Sequence, residues 1–202
     1  ALLAARRGAR AVVLVTPLDG SAQRLLDERA LQLLQHTDPE LASAAREALR
    51  SDRAATLPRD GGEWLLAPHN PPLRLVVVGA VHISESLCVL ARQCGYAVSV
   101  VDPRSAFLRP ERFPGVELIG HWPQQAFAAL KPDARTAVVL LTHDPKIDDP
   151  ALLAVLPSAA FYVGALGSTR THAKRLERLA AAGVSEADRA RKIGRASCRE
   201  RV

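Results

Sequence analysis

The spacing of apolar residues changes along this chain in a regular order, most clearly between Leu73 and Asp102. Leu75-Val76-Val77-Val78 is an unbroken, mostly β-branched run that stops at Gly79. Such a run predicts a central strand of a parallel sheet, covered on both faces. Ile83, Leu87, Leu90, Ala91 and Cys94 then recur at steps of three and four, which predicts a helix, and Gly95 supplies its stop. Ala97 to Val101 is a second strand and ends on Asp102. The result is a β-α-β unit with an acidic residue 23 positions after the first glycine, the layout of a nucleotide-binding half-fold.

The alternation continues. Val116–Ile119 predicts a strand, Gln124–Leu130 a short helix, Thr136–Leu141 a buried strand, and Asp148-Asp149-Pro150 the cap of a helix reaching Leu156. Ala159–Val163 predicts the next strand. A helix follows over Thr169–Ala182, with Ala173, Leu176, Leu179 and Ala180 on its core face and Gly183 at its end. Strands alternating with helices predict an α/β fold built on a doubly wound parallel sheet. The front of the chain differs. Ala11–Thr16 and Gln23–Leu26 flank a turn at Asp19-Gly20, and Asp38-Pro39-Glu40 opens a helix to about Arg50. Ala54–Leu57 and Glu63–Ala67 enclose the hairpin signal Arg59-Asp60-Gly61-Gly62. Pro68-His69-Asn70-Pro71-Pro72 is a stiff linker. The expected division is a partial α+β segment over 1–70, an α/β domain over 71–191 and a tail over 192–202.

That tail, K-I-G-R-A-S-C-R-E-R-V, has no apolar periodicity and reads like the translation of a sequencing adapter. It is expected to be foreign to the protein. It carries Lys192, Arg195, Arg199 and Arg201 against Glu200, so without it the formal charge falls from +6 to +3. No Lys/Arg cluster interleaved with aromatics stands elsewhere, so nucleic acid is not an expected partner. No stretch has the roughly 20 apolar residues of a membrane span, and the N-terminus lacks a signal-peptide pattern. The absence of any Met leads us to expect that the chain starts inside a longer protein. Cys88 and Cys94 share one predicted helix about 9 Å apart, too far for a disulfide. No C-x-x-C pair is present. The two read as small buried apolar residues in a reducing, cytoplasmic setting.

Ligands of doubly wound sheets bind outside the carboxyl ends of the strands, and the chemistry of this sequence collects there. Gly79-Ala80-Val81-His82 follows the first strand, Asp102-Pro103-Arg104 the second, Thr142-His143-Asp144 a later one, and Gly164 to Ser168 the last. The dinucleotide fingerprint wants glycine at 81 and glycine or alanine at 84, where Val81 and Ser84 stand. Asp102 could take a ribose hydroxyl pair, or Arg104 beside it a phosphate. Gly164 through Thr171 would suit a phosphate at a helix start, with Ser168 as cap and Arg170 near, or is simply a tight strand-to-helix turn. His143 and Asp144 are candidates for an acid–base pair but too few for a metal site. His82 either contacts the same ligand or only starts its helix. His172 reads as a surface or packing residue. No activated serine or cysteine arrangement is present, and neither catalytic nor metal-ligating residues are assigned.

Taken together, Pro72-Leu73-Arg74-Leu75 through Gly79-Ala80-Val81-His82-Ile83, D-P-R at Asp102 to Arg104, and E-R-F-P at Glu111 to Pro114 resemble the XdhC/CoxI family of xanthine dehydrogenase accessory proteins. So do L-T-H-D-P-K-I-D-D-P-A-L at Leu141 to Leu152 and F-Y-V-G-A-L-G-S-T-R-T-H-A-K-R-L at Phe161 to Leu176. The resemblance spans about Pro71 to Arg191. It implies a Rossmann-like domain and a chaperone that binds molybdenum cofactor, whose molybdopterin carries a phosphate. It further implies support for exchange of an oxo for a sulfido ligand with a cysteine desulfurase, and delivery to a molybdenum hydroxylase apoenzyme. The complete form is expected to be cytoplasmic and homo-oligomeric. Family members usually carry G-A-G-H where this chain has Gly79-Ala80-Val81-His82. Their front motif and their P-x-G-L-D-I-G segment after the position of Arg191 are missing, so truncation at both ends is expected. The cofactor-binding set so implied is Gly79, Ala80, Val81, His82, Asp102, Arg104, Thr142, His143, Asp144, Gly164, Gly167, Ser168 and Arg170. The alternatives are an NAD(P)-linked oxidoreductase using Asp102 for ribose and His143 as proton donor, and an interaction domain with no ligand.

Overall fold

The computed structural model describes residues 1–196. The backbone falls into two compact units, Ala1–Pro71 and the part from Pro72 onward. The first unit runs α1 (Leu2–Arg7), β1 (Val12–Pro17), β2 (Arg24–Leu26), α2 (Glu28–Thr37), α3 (Pro39–Ser51), β3 (Ala55–Arg59) and β4 (Gly62–His69). Its strands form an antiparallel sheet in the order β2-β1-β4-β3. Val13 and Val15 alternate inward from β1, and Leu66 pairs with Val15 across the ladder. Together with Leu31 of α2 and Leu41, Ala45 and Ala48 of α3 they make the core of this unit. Sequence periodicity predicts neither α1 nor α2. Only Leu31 of α2 is buried, so its apolar stripe is thin. What starts α2 is a cap: Asp27 accepts the Ala30 N–H at 2.9 Å.

The second unit runs β5 (Arg74–Val78), α4 (His82–Gln93), β6 (Ala97–Val101), β7 (Glu117–Ile119), α5 (Pro123–Leu130), β8 (Thr136–Leu140), α6 (Pro145–Val155), β9 (Tyr162–Leu166), α7 (Thr169–Ala181), α8 (Glu186–Lys192) and β10 (Ile193–Ala196). All six strands are parallel, in the order β10-β9-β8-β5-β6-β7. Numbered within the unit this is 6-5-4-1-2-3, the doubly wound dinucleotide-fold order. The chain leaves β5 toward one side of the sheet and returns through β8 on the other. The order therefore reverses between β5 and β8. β5 alternates accordingly: Leu75 and Val77 pack with Cys88 and Ala91 of α4, while Val76 and Val78 pack with Phe127 of α5 and Leu152 of α6. Strand β10 lies in the segment expected to be foreign; residues 197–202 fall outside the described residues.

Five expectations need correction. The buried stripe of α4 is Ser84, Cys88 and Ala91, whereas Ile83 and Leu90 are exposed. The Ser84 hydroxyl is fixed there by donating to the Gly79 carbonyl at 2.5 Å, and Leu87 packs partly against the same core. Cys94 is exposed rather than buried. Helix α6 starts earlier than Asp148: Asp144 caps it, Pro145 stands in its first turn and Pro150 lies inside it. Strand β9 lies three residues later than expected, and the buried residues of α7 are Arg175 and Leu179, with Ala173 and Ala180 exposed.

Candidate functional site

The carboxyl ends of β6, β5, β8 and β9 lie side by side on one rim, because those strands are parallel neighbours. At the reversal point, Gly79 continues the β5 ladder by donating to the Val101 carbonyl at 2.8 Å. Its φ is 109°, and a β-carbon there would meet Thr142 Cγ2 at 2.6 Å. Glycine is needed at this turn both for its conformation and because the loop after β8 packs against it. Ala80 is buried, Val81 is half-buried and precedes α4, and no side chain caps that helix. The side chain of His82 is 99 % exposed, with Glu85 3.6 Å away.

Asp102 is fully buried, and both of its oxygens are engaged. Oδ1 accepts the Arg104 N–H and the Arg104 Nε–H, each at 2.9 Å. Oδ2 accepts the Ala80 N–H and the Arg104 Nη2–H, each at 2.8 Å. A carboxylate offers about four acceptor directions, so none remains for a ribose. Burial alone would raise the Asp102 carboxyl, but the Arg104 guanidinium and the two backbone N–H groups outweigh it and hold the pKa below the ordinary value. Arg104 in turn lies over the Phe107 ring at 4.6 Å. Asp102 thus ties the β6 end to the glycine turn.

On the other side of β5, the Thr142 hydroxyl accepts the Asp144 N–H at 3.2 Å and donates to Asp148 Oδ1 at 2.5 Å. Asp144 accepts the Lys146 N–H at 2.9 Å and acts electrostatically on Arg104 across the reversal point. His143 is exposed in a left-handed conformation, φ 60°, uncommon for a residue other than glycine. Gly164 belongs inside β9, paired with Val139 and Gly194, so it does not reach the rim. The Tyr162 ring lies where its side chain would be. Gly167 is buried at the start of the turn, Ser168 caps α7 by accepting the Thr171 N–H at 3.2 Å, and Arg170 is exposed.

A recess of about 260 Å³ opens beside this rim between α6 and α7, lined by His143, Pro145, Asp148, Arg170, Thr171, Lys174, Arg175 and Arg178. Arg175 is 1 % exposed; its Nη2 donates to the Leu166 carbonyl at 3.0 Å and reaches Asp148 at 3.4 Å, while Nε and Nη1 are buried without a partner among the described residues. Burial pushes the Asp148 carboxyl above its ordinary value despite Thr142 and Arg175. Motif reading missed Asp148, Lys174, Arg175 and Arg178. The four-residue spacing of Arg170, Lys174 and Arg178 was the available signal, a basic stripe along one helix face. Among the described residues no group of three or more His, Cys, Asp or Glu is placed to hold a metal ion. None of the described helices is long and apolar enough to cross a membrane.

The profile of the XdhC Rossmann domain matches residues 75–194. The chain is 34 % identical over 115 residues to the molybdenum cofactor insertion chaperone PaoD of Escherichia coli, covering 57 % of this chain and 30 % of that protein. It is 27 % identical over 172 residues to the uncharacterized protein YqeB of the same organism, covering 83 % and 31 %. It thus spans under a third of the length of either relative. A solved structure of a xanthine dehydrogenase from Bacillus halodurans shares the fold, with a TM-score of 0.61 at 18 % identity over 85 % of this chain and 50 % of that one. The profile covers more than half of the chain, including the reversal point: this chain belongs to the XdhC family, through the family's Rossmann domain.

Proposed function

We propose that the chain is part of an accessory protein that binds molybdenum cofactor and hands it to a xanthine dehydrogenase-type apoenzyme. The observation that carries this reading is the state of Asp102. Its four acceptor directions are filled by Ala80 and Arg104, so the rim keeps the shape of a nucleotide site without the ribose clamp of a dinucleotide enzyme. Val81 adds bulk where a pyrophosphate would need to approach the backbone. Both features suit a site that holds a cofactor rather than one that performs hydride transfer. The similarity to PaoD supports the same role.

Molybdopterin offers a phosphate and a polar pterin edge. Residues at and beside the rim fit such a group: among the described residues, Arg175 in the neighbouring recess has buried donors without partners, and the start of α4 carries no side-chain cap. When bound, the cofactor supplies the metal and its exchangeable ligands. The chain would supply orientation and shielding from Gly79 to His82, Thr142 to Asp144, and Gly167 to Arg170. Cooperation with a cysteine desulfurase, a homo-oligomeric complete form and a cytoplasmic location belong to the same proposal.

The test is co-elution. The chain is incubated with molybdenum cofactor, and in separate arms with NADH and NADPH, then passed through a sizing column. Retained molybdenum and pterin fluorescence in the protein peak are expected. Retained nicotinamide with turnover would replace this reading by an NAD(P)-linked oxidoreductase. Retention of neither would leave an interaction domain.

A further inference from the structure

The recess between α6 and the start of α7 is built from groups that lack enough counter-charge. Four cations stand in or on it, Arg170, Lys174, Arg175 and Arg178. Arg178 is engaged by Asp149, with Nη2 donating at 2.9 Å, and Arg175 reaches Asp148 only at 3.4 Å. Glu177 also acts on Arg178, whereas Arg170 and Lys174 have no ion pair among the described residues. Arg170 and Lys174 sit one helical turn apart on the exposed side. A guanidinium that is buried with two nitrogens lacking partners among the described residues is costly unless something accepts from their three N–H bonds. Asp148 accepts only from Nη2 of Arg175, at 3.4 Å, and not from Nε or Nη1. Nη1 of Arg175 lies near the start of α7, 3.7 Å from where a β-carbon on Gly167 would be. Arg175, the exposed cations Arg170 and Lys174, and the first turn of the 13-residue helix α7 thus line one space.

We propose that this recess is a phosphate-binding site, in which the buried Arg175 guanidinium and the helix start receive the oxygens and Arg170 and Lys174 close over them. The sequence pattern suggested phosphate at the turn of Gly164 to Thr171. The structure shifts the site to the neighbouring cleft, because Gly164 is inside β9 and the donors without partners belong to Arg175. Only the identity of what carries the phosphate rests on the cofactor reading above; the site itself stands on the cleft. The phosphate could be a terminal monoester or one unit of a nucleotide's diphosphate, and both share this chemistry.

Calorimetric titration of the 202-residue chain with inorganic phosphate, pyrophosphate and adenosine diphosphate, with chloride as control, tests the proposal. Saturable binding of one anion per chain is expected, weakening as salt rises. Arg170→Ala combined with Lys174→Ala changes only exposed side chains and should weaken phosphate by about tenfold or more, with the unfolding midpoint unchanged. Arg175→Lys keeps a charge but loses the fork and should weaken it too. Pyrophosphate and adenosine diphosphate binding tenfold tighter than phosphate would identify the diphosphate source, and equal binding the monoester. No saturable phosphate heat, or heat unaltered in the Arg170/Lys174 double variant, would overturn the site. Phosphate binding here without retention of molybdenum cofactor would keep the site and remove the cofactor reading.

Discussion

Gly79 and Asp102 illustrate how single side chains set the geometry of the rim. At Gly79 a methyl group would collide with Thr142 and demand a left-handed backbone of a residue that disfavours it. Gly79→Ala is expected to destabilise the second unit by about 3 kcal/mol, measured as a shift in the urea midpoint at unchanged slope. Asp102→Asn removes charge from a buried group that accepts four hydrogen bonds, three of them from Arg104. A loss of about 2 kcal/mol at neutral pH is expected. The sign with pH follows from the lowered folded-state pKa. The stabilisation is complete above the ordinary carboxylate value of roughly 4 and is lost as pH falls through the lower folded value. Wild type and Asp102→Asn should therefore converge in stability on acidification, which denaturant titrations at neutral and acid pH would show. Cys88 behaves oppositely to a sulfur-transfer thiol. Burial raises its pKa to about 11, so it should react with a thiol reagent only as fast as the unit opens.

Helix α7 carries the recess, and its start depends on Ser168. Ser168→Ala should cost about 1 kcal/mol, readable in thermal unfolding, and should lower phosphate affinity in parallel. This helix also shows where the pattern of the sequence was legible and where it was not. Its bounds follow from Ser168 and Gly183, but its inner face does not, because a buried arginine does not register in apolar periodicity. Arg175 is inward because the Leu166 carbonyl and Asp148 receive it. Helix α4 misleads for a related reason: Ile83 and Leu90 mark an apolar stripe, yet the buried residues are Ser84, Cys88 and Ala91. Strands read more directly. Leu75–Val78 and Ala137–Leu140 are uniformly apolar because both faces are covered, and the glycine and threonine that follow them locate the reversal point. Which rim residues are already occupied internally, as Asp102 is, depends on hydrogen bonds that spacing alone does not encode.

Each of the two units owns a core: Val13, Val15, Leu41 and Leu66 in the first, and the two faces of the parallel sheet in the second. A chain beginning at Pro72 should therefore fold by itself. Its circular dichroism should keep a cooperative transition, and its phosphate binding should match that of the 202-residue chain. Loss of the transition would show that the first unit is required for folding. The strand order also bears on how the protein is made. β5 is flanked by β6 on one side and β8 on the other, and α4, β6, β7 and α5 must emerge from the ribosome before β8 does. Until then the strand of Leu75 to Val78 has an open apolar edge, a template for pairing with other chains. Nascent chains stalled before Thr136 should accordingly be strong clients of ribosome-associated chaperones, and slower translation between β7 and β8 should lower the soluble yield.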